Sequence, residues 1–367
     1  MKIAIIHDDL MRRGGAEQVV LSMMKAYPQA DLYTMCYQPD LTYVEFKQYK
    51  VHTSVFQKLV KTEKAMKMLF FPFGIISMNL LKIKGYDIVL ISNTFGGKYV
   101  SVDSSSKVFI YTYTPFRLAW NPTSYTEYNN SSGIKRIAFD LVTSILRRID
   151  AKAAKKGRYF MGMTKETAQR IKDAYHVDDV KIIHPPVKCD NFYQSDSPSD
   201  YYLIVSRLEF YKKVDLAIRA FNKLGHKLVI VGNGSKKEAL KEMAKDNIIF
   251  KSGLPKEEIA SLYANCKGFI FPQHEDYGIT PLEANASGRP VIAYGQGGVL
   301  ETMVPYTGND QAATALFFKE QTEESLISAV QQFETLKFNP GFITAHAKKF
   351  DESVFVTELR KYIAENS

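Results

Sequence analysis

The feature that most limits what this chain can fold into is a pattern that occurs twice. Short, wholly apolar runs end in polar, glycine-bearing loops, and those loops lead into stretches of helical periodicity. Residues 2–7 read KIAIIH and lead past Gly14-Gly15 to a helical pattern from Ala16, with Val19, Val20, Met23 and Met24 at helical spacing. Residues 86–92 (YDIVLIS) and 107–112 (KVFIYT) repeat the strand pattern. The polar stretch 194–200 (QSDSPSD) reads as a linker. The pattern then restarts with 202–206 (YLIVS), 227–231 (KLVIV), 247–250 (NIIF), 268–271 (GFIF) and 290–294 (PVIAY), most of them separated by helical segments. Strands this uniformly apolar belong in parallel sheets covered on both faces, so an α/β chain of two doubly wound domains is predicted. The expected boundaries are 1–193 and 200–345, with a helical tail, 346–367, packing back on the first domain.

Length agrees with that division, because 367 residues exceed what one hydrophobic core usually organises. The three cysteines, Cys36, Cys189 and Cys266, are widely spaced and form no CxxC or Cys/His cluster. Zinc and a disulfide framework therefore have little support, and a reducing cytoplasm is the simplest compartment. The apolar run at Ile3–Ile6 is too short for a signal peptide.

The net charge of +9 is uneven. Residues 45–84 hold eight Lys and two Glu, and residues 135–158 hold eight Lys or Arg and two Asp. Those two stretches outweigh the whole chain's surplus, so the basic character belongs to the first half. An anionic partner is implied: nucleic acid, a membrane surface or phosphate groups. Residues 69–81 (LFFPFGIISMNLL) are too few to span a bilayer. They fit either an interfacial segment with lysines reaching headgroups, or a buried helix and loop with a solvated lysine face.

Ligands in doubly wound folds sit at the C-terminal edges of the strands, so chemistry is sought in the loops there. The segment 274–283 (HEDYGITPLE) follows the GFIFP strand and opens a helix. Thr280 is placed to cap it and Pro281 suits the first helical position. A helix start behind a glycine-bearing loop is an anion site. Glu275 would repel a phosphate unless it contacts something else, such as a neutral sugar's hydroxyls. Glu283 has two readings: a ribose contact, or the far half of a Thr280-x-x-Glu283 capping box. In the loop 206–213 (SRLEFYKK), Arg207 and Lys212 form either a diphosphate clamp or a solvated basic surface. Gly14-Gly15 allows close backbone approach to a phosphate, and Gly232-x-Gly234 fits the same role or a plain turn. Tyr113 and Arg117, in 111–120 (YTYTPFRLAW), line either an acceptor pocket or a packed loop. His7 with Asp8 is either a polar pair facing the ligand or structural. No Ser-His-Asp order, HExxH or P-loop pattern is present.

Together these loops resemble glycosyltransferase family 4, the retaining enzymes of the GT-B fold, nearest to the mannosyltransferase-like enzymes of bacterial O-antigen and exopolysaccharide assembly. The stretch EDYGITPLEANASGRPVIAYGQGGVLETM resembles the family's donor signature, in which seven residues separate two glutamates, here Glu275 and Glu283. GGAE at 14–17, SRLEFYKK, HPPV at 184–187 and FPQHEDYG also resemble family blocks. The resemblance implies two Rossmann-like domains facing each other across a cleft. It implies Glu275 on the donor sugar, Glu283 on the ribose, and Arg207 and Lys212 on the diphosphate. Gly15 and the backbone of Gly278, Ile279 and Thr280 would complete the phosphate cradle. Gly297 and Glu301 lie in another family block. The implied reaction moves a hexose, first of all mannose from GDP-mannose, to a glycan or polyprenyl-diphosphate-linked acceptor. No metal or other cofactor is expected. The implied site of action is the cytoplasmic face of an anionic inner membrane, and nucleic acid is not an expected partner. The sequence departs from the family where Tyr113 (YTYTP) and Thr94 (ISNTFGGK) stand at positions often held by His, and where Lys213 replaces a usual Gly. The alternatives are a similarly shaped sugar-nucleotide epimerase or hydrolase, and a nucleic-acid-binding protein, which would explain the charge but not the Glu275 and Arg207 loops.

Overall fold

The computed structural model describes residues 1–367, the side chain of Thr126 excepted. The chain forms two compact units: residues 1–184 with 355–367, and residues 185–354. The division falls before the polar stretch, because that stretch is packed on the second unit. Ser199 N–H donates to the Asn265 carbonyl at 2.8 Å, and Arg289 Nη2 donates to the Ser195 carbonyl at 2.5 Å. The segment after Pro185-Pro186 pairs with the far end of the same unit: Val187 N–H donates to Phe350 O, and Glu352 N–H to Val187 O, each at 2.9 Å. Residues 185–193, expected in the first domain, thus belong to the second, and of the tail only 355–367 joins the first.

In the first unit, seven parallel strands order as 51–53, 31–34, 3–7, 88–93, 107–112, 159–162 and 181–182. Register is set by buried apolar runs, Ile3 opposite Ile88 and Val89 opposite Val108. Because the side-chain period is two, alternate residues face opposite layers. Ala4, Ile6, Val89, Ile91, Val108 and Ile110 share one core with Met66, Phe70, Met78, Phe116, Leu146 and Ile171. On the other face Tyr111 and Phe109 meet Phe355 and Tyr362 of the terminal helix Glu352–Glu365, with ring centroids 6.0 and 6.1 Å apart. Arg360 Nε also donates to Ala26 O at 2.8 Å, at the end of the helix Gly15–Ala26.

In the second unit, six parallel strands order as 248–251, 228–231, 202–205, 268–271, 291–294 and 315–318. The helix Val214–Leu224 buries Val214, Ala217, Ile218 and Phe221 against the sheet. Full burial of a side chain such as Phe221 contributes about 2–3 kcal/mol. Gly268 leaves room for the helix Glu323–Phe333, since a Cβ there would lie 2.8 Å from the Phe333 ring.

Both sheets start at an inner strand, build outward to one edge and then cross to the other side. The order reverses between 3–7 and 88–93 in the first sheet, and between 202–205 and 268–271 in the second. Ligands of doubly wound sheets bind beyond the C-terminal ends of the strands that flank such a reversal.

Candidate functional site

At the reversal in the second unit, two of the sequence-selected loops come together. The loop after Tyr202–Val205 is held by glycines that approach it without side chains. A Cβ at Gly232 would fall 1.9 Å from Ser206 O, and one at Gly234 would fall 2.4 Å from Leu208 O. Leu208 N–H donates to Asn233 O and Lys236 N–H to Leu208 O, each at 2.9 Å. The Glu209 carboxylate accepts from Ser235 N–H at 3.0 Å and from its hydroxyl at 2.6 Å. Gly232-x-Gly234 is therefore the clamp that shapes the basic loop. Lys213 ends that loop at φ +52°, left-handed backbone that a side chain disfavours. That conformation is the physical reason a glycine suits the position.

The second loop follows Gly268–Phe271. Glu275 takes the Lys212 ammonium as an ion-pair partner and accepts from Gln273 Nε2 at 3.2 Å. The pair joins two sequence-selected residues across the reversal. Arg207 is exposed nearby, its guanidinium 5.9 Å from the Tyr211 ring centroid. The Glu275 carbonyl accepts from Gly298 N–H at 2.8 Å, and Gly297 forms a parallel bridge to Glu275. Gly297 has φ +79°, and a Cβ there would lie 2.3 Å from His274 Cδ2 and 2.4 Å from Glu275 O. At Gly298 a Cβ would lie 2.4 Å from Tyr277 Cα. The 297–298 glycines thus serve as the backstop of the Glu275 loop.

The helix that follows is Ile279–Ala286, which starts two residues earlier than a Thr280 cap requires. Gly278, at φ +90°, is its N-cap, and no side chain caps it. Thr280 and Pro281 lie inside the first turn, so the capping box does not form. Glu283 instead accepts from the Tyr263 hydroxyl at 2.8 Å. Burial raises the Glu283 pKa, and the Tyr263 hydrogen bond opposes that shift. Gly278, Ile279 and Thr280 present an uncapped helix start beside the Lys212–Glu275 pair, an arrangement suited to an anionic group next to a neutral polyhydroxyl.

At the reversal in the first unit, the residues selected by sequence are more enclosed than expected. His7 is buried, its Nδ1 3.0 Å from Ser92 Oγ and its Nε2 3.8 Å from Glu17 Oε1. Burial disfavours charge on both His7 and Glu17. Their mutual contact and nearby opposite charges outweigh it, raising the His7 pKa and lowering that of Glu17. Arg12 ties Glu17 (3.1 Å), Asp9 (2.9 Å) and Glu63 (2.6 Å) together. Asp9 is pushed up to about 6, by burial first, with Arg12 opposing. Asp8 accepts four backbone N–H bonds, from Thr94 (2.6 Å), Phe95 (3.1 Å), Gly96 (2.8 Å) and Gly97 (2.6 Å), and so shapes the whole 94–97 loop. The Tyr113 hydroxyl bonds Ser92 Oγ at 2.9 Å and donates to Ala16 O at 3.1 Å. Tyr113 and His7 are therefore interior supports of the Gly14-Gly15 turn rather than residues lining an open acceptor pocket. Gly15, the first residue of its helix, and Arg117 are exposed. Gly14 is crowded by Glu17, whose Oε2 would lie 2.6 Å from a Cβ.

Sequence reasoning named Gly232, Gly234 and Asp8 without their clamp and cradle roles, and it missed Tyr263. The doubled glycines at 96–97 and 297–298 were the available signal. Among the described residues, no group of three or more His, Cys, Asp or Glu is placed to hold a metal ion.

Residues 190–352 match the family model of group 1 glycosyl transferases. The chain is similar to the alpha-1,3/1,6-mannosyltransferase ALG2 of Candida glabrata, 23% identical over 421 aligned positions that cover 95% of this chain and 88% of that protein. It is also similar to the O-antigen chain mannosyltransferase RfbU of Salmonella typhimurium, 24% identical over 58% of this chain and 62% of that protein. Among solved structures, Anabaena Alr3699/HepE in complex with UDP superposes with a TM-score of 0.70 at 14% identity, over the full length of both chains.

Proposed function

Taking as premise that the chain is a group 1 glycosyltransferase of the GT-B fold, we propose that it transfers mannose from GDP-mannose with retention of anomeric configuration. The acceptor is a glycan hydroxyl, carried on a polyprenyl diphosphate during cell-surface polysaccharide synthesis, and the enzyme works on the inner face of the membrane. The observation that carries the reading is the Lys212–Glu275 pair beside the uncapped start of Ile279–Ala286. The names of the mannosyltransferase relatives support the sugar, and that of the O-antigen enzyme supports the acceptor class.

Each residue then has a chemical task. Arg207, Lys212 and the N–H groups at Gly278, Ile279 and Thr280 take the diphosphate and stabilise the charge that grows as it leaves. Glu275 accepts hydrogen bonds from sugar hydroxyls. With a diphosphate on Lys212, that ammonium bridges phosphate and carboxylate, so the two anions are not left facing each other. Glu283, oriented by Tyr263, accepts from the ribose. The anomeric carbon–oxygen bond to phosphate breaks as the bond to the acceptor oxygen forms on the same face. The acceptor's proton passes to the leaving diphosphate, so the reaction balances without a protein nucleophile.

The test is a thermal-shift screen of GDP-, UDP- and TDP-sugars, followed by mass spectrometry of the best donor with a lipid-linked acceptor. GDP-mannose is expected to raise the melting temperature most and to add one hexose to the acceptor. Preference for a UDP-sugar overturns the donor assignment. Turnover that ignores the acceptor points instead to an epimerase or hydrolase.

A further inference from the structure

The helix Gly133–Ala154 has two apolar faces, and only one is covered. Its buried residues, Thr143, Leu146, Asp150 and Ala154, lie along one side. On the opposite side, Ile134, Ile137 and Leu141 are 86%, 69% and 62% exposed, with Ile145 half-exposed behind them. At about 100° per residue these four fall within an arc of about 80°. The same line continues toward the C-terminus as Arg148 and Lys152, both exposed.

The helix cannot roll to hide this stripe. Asp150, wholly buried, holds the Lys98 ammonium at 2.7 Å and accepts from Tyr99 (2.7 Å), Trp120 Nε1 (2.8 Å) and Tyr175 (3.0 Å). Turning the helix would break four contacts to a buried carboxylate, a large cost. The apolar stripe is thus fixed outward.

A second exposed set belongs to the same layer. Met68, Phe73, Ile76 and Leu80 are each more than half exposed, while Met66, Phe70, Ile75 and Met78 between them join the core that also takes Leu146. Exposed Lys61, Lys64 and Lys67 flank this set. Both apolar sets therefore belong to segments that pack on the same face of the first sheet, each with exposed cations beside it.

We propose that this helix layer docks on an anionic lipid bilayer, with Ile134, Ile137, Leu141 and Ile145 entering the interface and Arg148 and Lys152 meeting lipid phosphates. A protein groove would satisfy the apolar stripe alone. The cations collinear with it, and the lysines around the second set, fit a surface that is apolar within and negative at its rim. The inference deepens the reading of a lipid-borne acceptor. Its experiment needs no nucleotide sugar, so its failure and the failure of the transferase reading are separate outcomes.

The full chain is sedimented with vesicles of phosphatidylcholine alone, and with vesicles that also contain phosphatidylglycerol, at low and high salt. Tight binding is expected only on the anionic vesicles. Burying an Ile or Leu is worth about tenfold or more in partitioning, so the double variant Ile137→Ser, Leu141→Ser should lose roughly 100-fold. The double variant Arg148→Ala, Lys152→Ala should lose about 25-fold at low salt, about fivefold per charge, and less at high salt. All four side chains are exposed, so the melting temperatures of both variants should match the parent. Absence of binding by the parent chain, or vesicle affinity unchanged in both variants, overturns the proposal. So does a vesicle-free dimer that Ile137→Ser, Leu141→Ser dissolves, because a second copy would then cover the stripe.

Discussion

Replacing Gly297 with Ala tests whether the 297–298 glycines hold the Glu275 loop in place. Two costs add at this position. The first is backbone: φ is +79°, and left-handed geometry costs a residue with a Cβ about 1–2 kcal/mol. The second is steric: the new Cβ would stand 2.3 Å from His274 Cδ2 and 2.4 Å from the Glu275 carbonyl oxygen. Overpacking of this kind costs about 1–3 kcal/mol, because one contact is backbone and the loop itself must give. The sum is about 2–5 kcal/mol. Gly253→Ala supplies the control, since φ there is +70° with nothing within 4 Å of the new Cβ. It should show the backbone cost alone. Only the steric part separates the two variants, so at about 2–4 °C per kcal/mol for a unit of this size Gly297→Ala should melt about 2–12 °C below Gly253→Ala. Initial-rate kinetics should show a higher donor KM in Gly297→Ala and parental kinetics in Gly253→Ala. Equal melting temperatures with parental donor kinetics in both would refute the reasoning.

Three further outcomes follow from named contacts. Glu283→Gln should stabilise the protein at neutral pH while raising the donor KM. The folded pKa of Glu283 lies above its unfolded value, so its stabilising contribution is present at low pH and is lost as pH rises between the two; melting curves from acid to neutral pH should show the variant's advantage growing across that window. Asp8→Asn should cost about 3 kcal/mol or more, because an amide cannot accept all four N–H bonds from residues 94–97 and turns donors toward them; urea unfolding measures it. Lys213→Gly should be neutral or stabilising despite the lost charge, since it relieves the left-handed strain at φ +52°, and a lowered melting temperature would count against that account.

The parallel sheets were legible because their strands are apolar on both faces, as in IAIIH and LVIV. The basic and acidic loops were legible because the strand order places them at the C-terminal edges. Local rules failed where a distant contact decides. Thr280 looked like a cap because nothing nearby in the chain shows that Gly278 supplies the turn and that Tyr263 takes the Glu283 carboxylate. Tyr113 and His7 read as acceptor-side groups because their partners, Ala16 and Ser92, are 97 and 85 residues away. The domain boundary moved because residues 187 and 351 pair, a contact no composition shift reveals. The outward apolar stripe on Gly133–Ala154 was hidden by a helix that is apolar on two sides, where periodicity alone does not say which side is covered.

The most direct test of the central claim is transfer by the parent chain and by Glu275→Gln, with the anomeric configuration of the product read by nuclear magnetic resonance. The account predicts a product that retains the donor's configuration. It also predicts a rate about 10²–10³-fold lower in Glu275→Gln, as when one group aimed at the reacting sugar is lost, with an unchanged melting temperature. An inverted product, or a Glu275→Gln rate equal to the parent's, would contradict it.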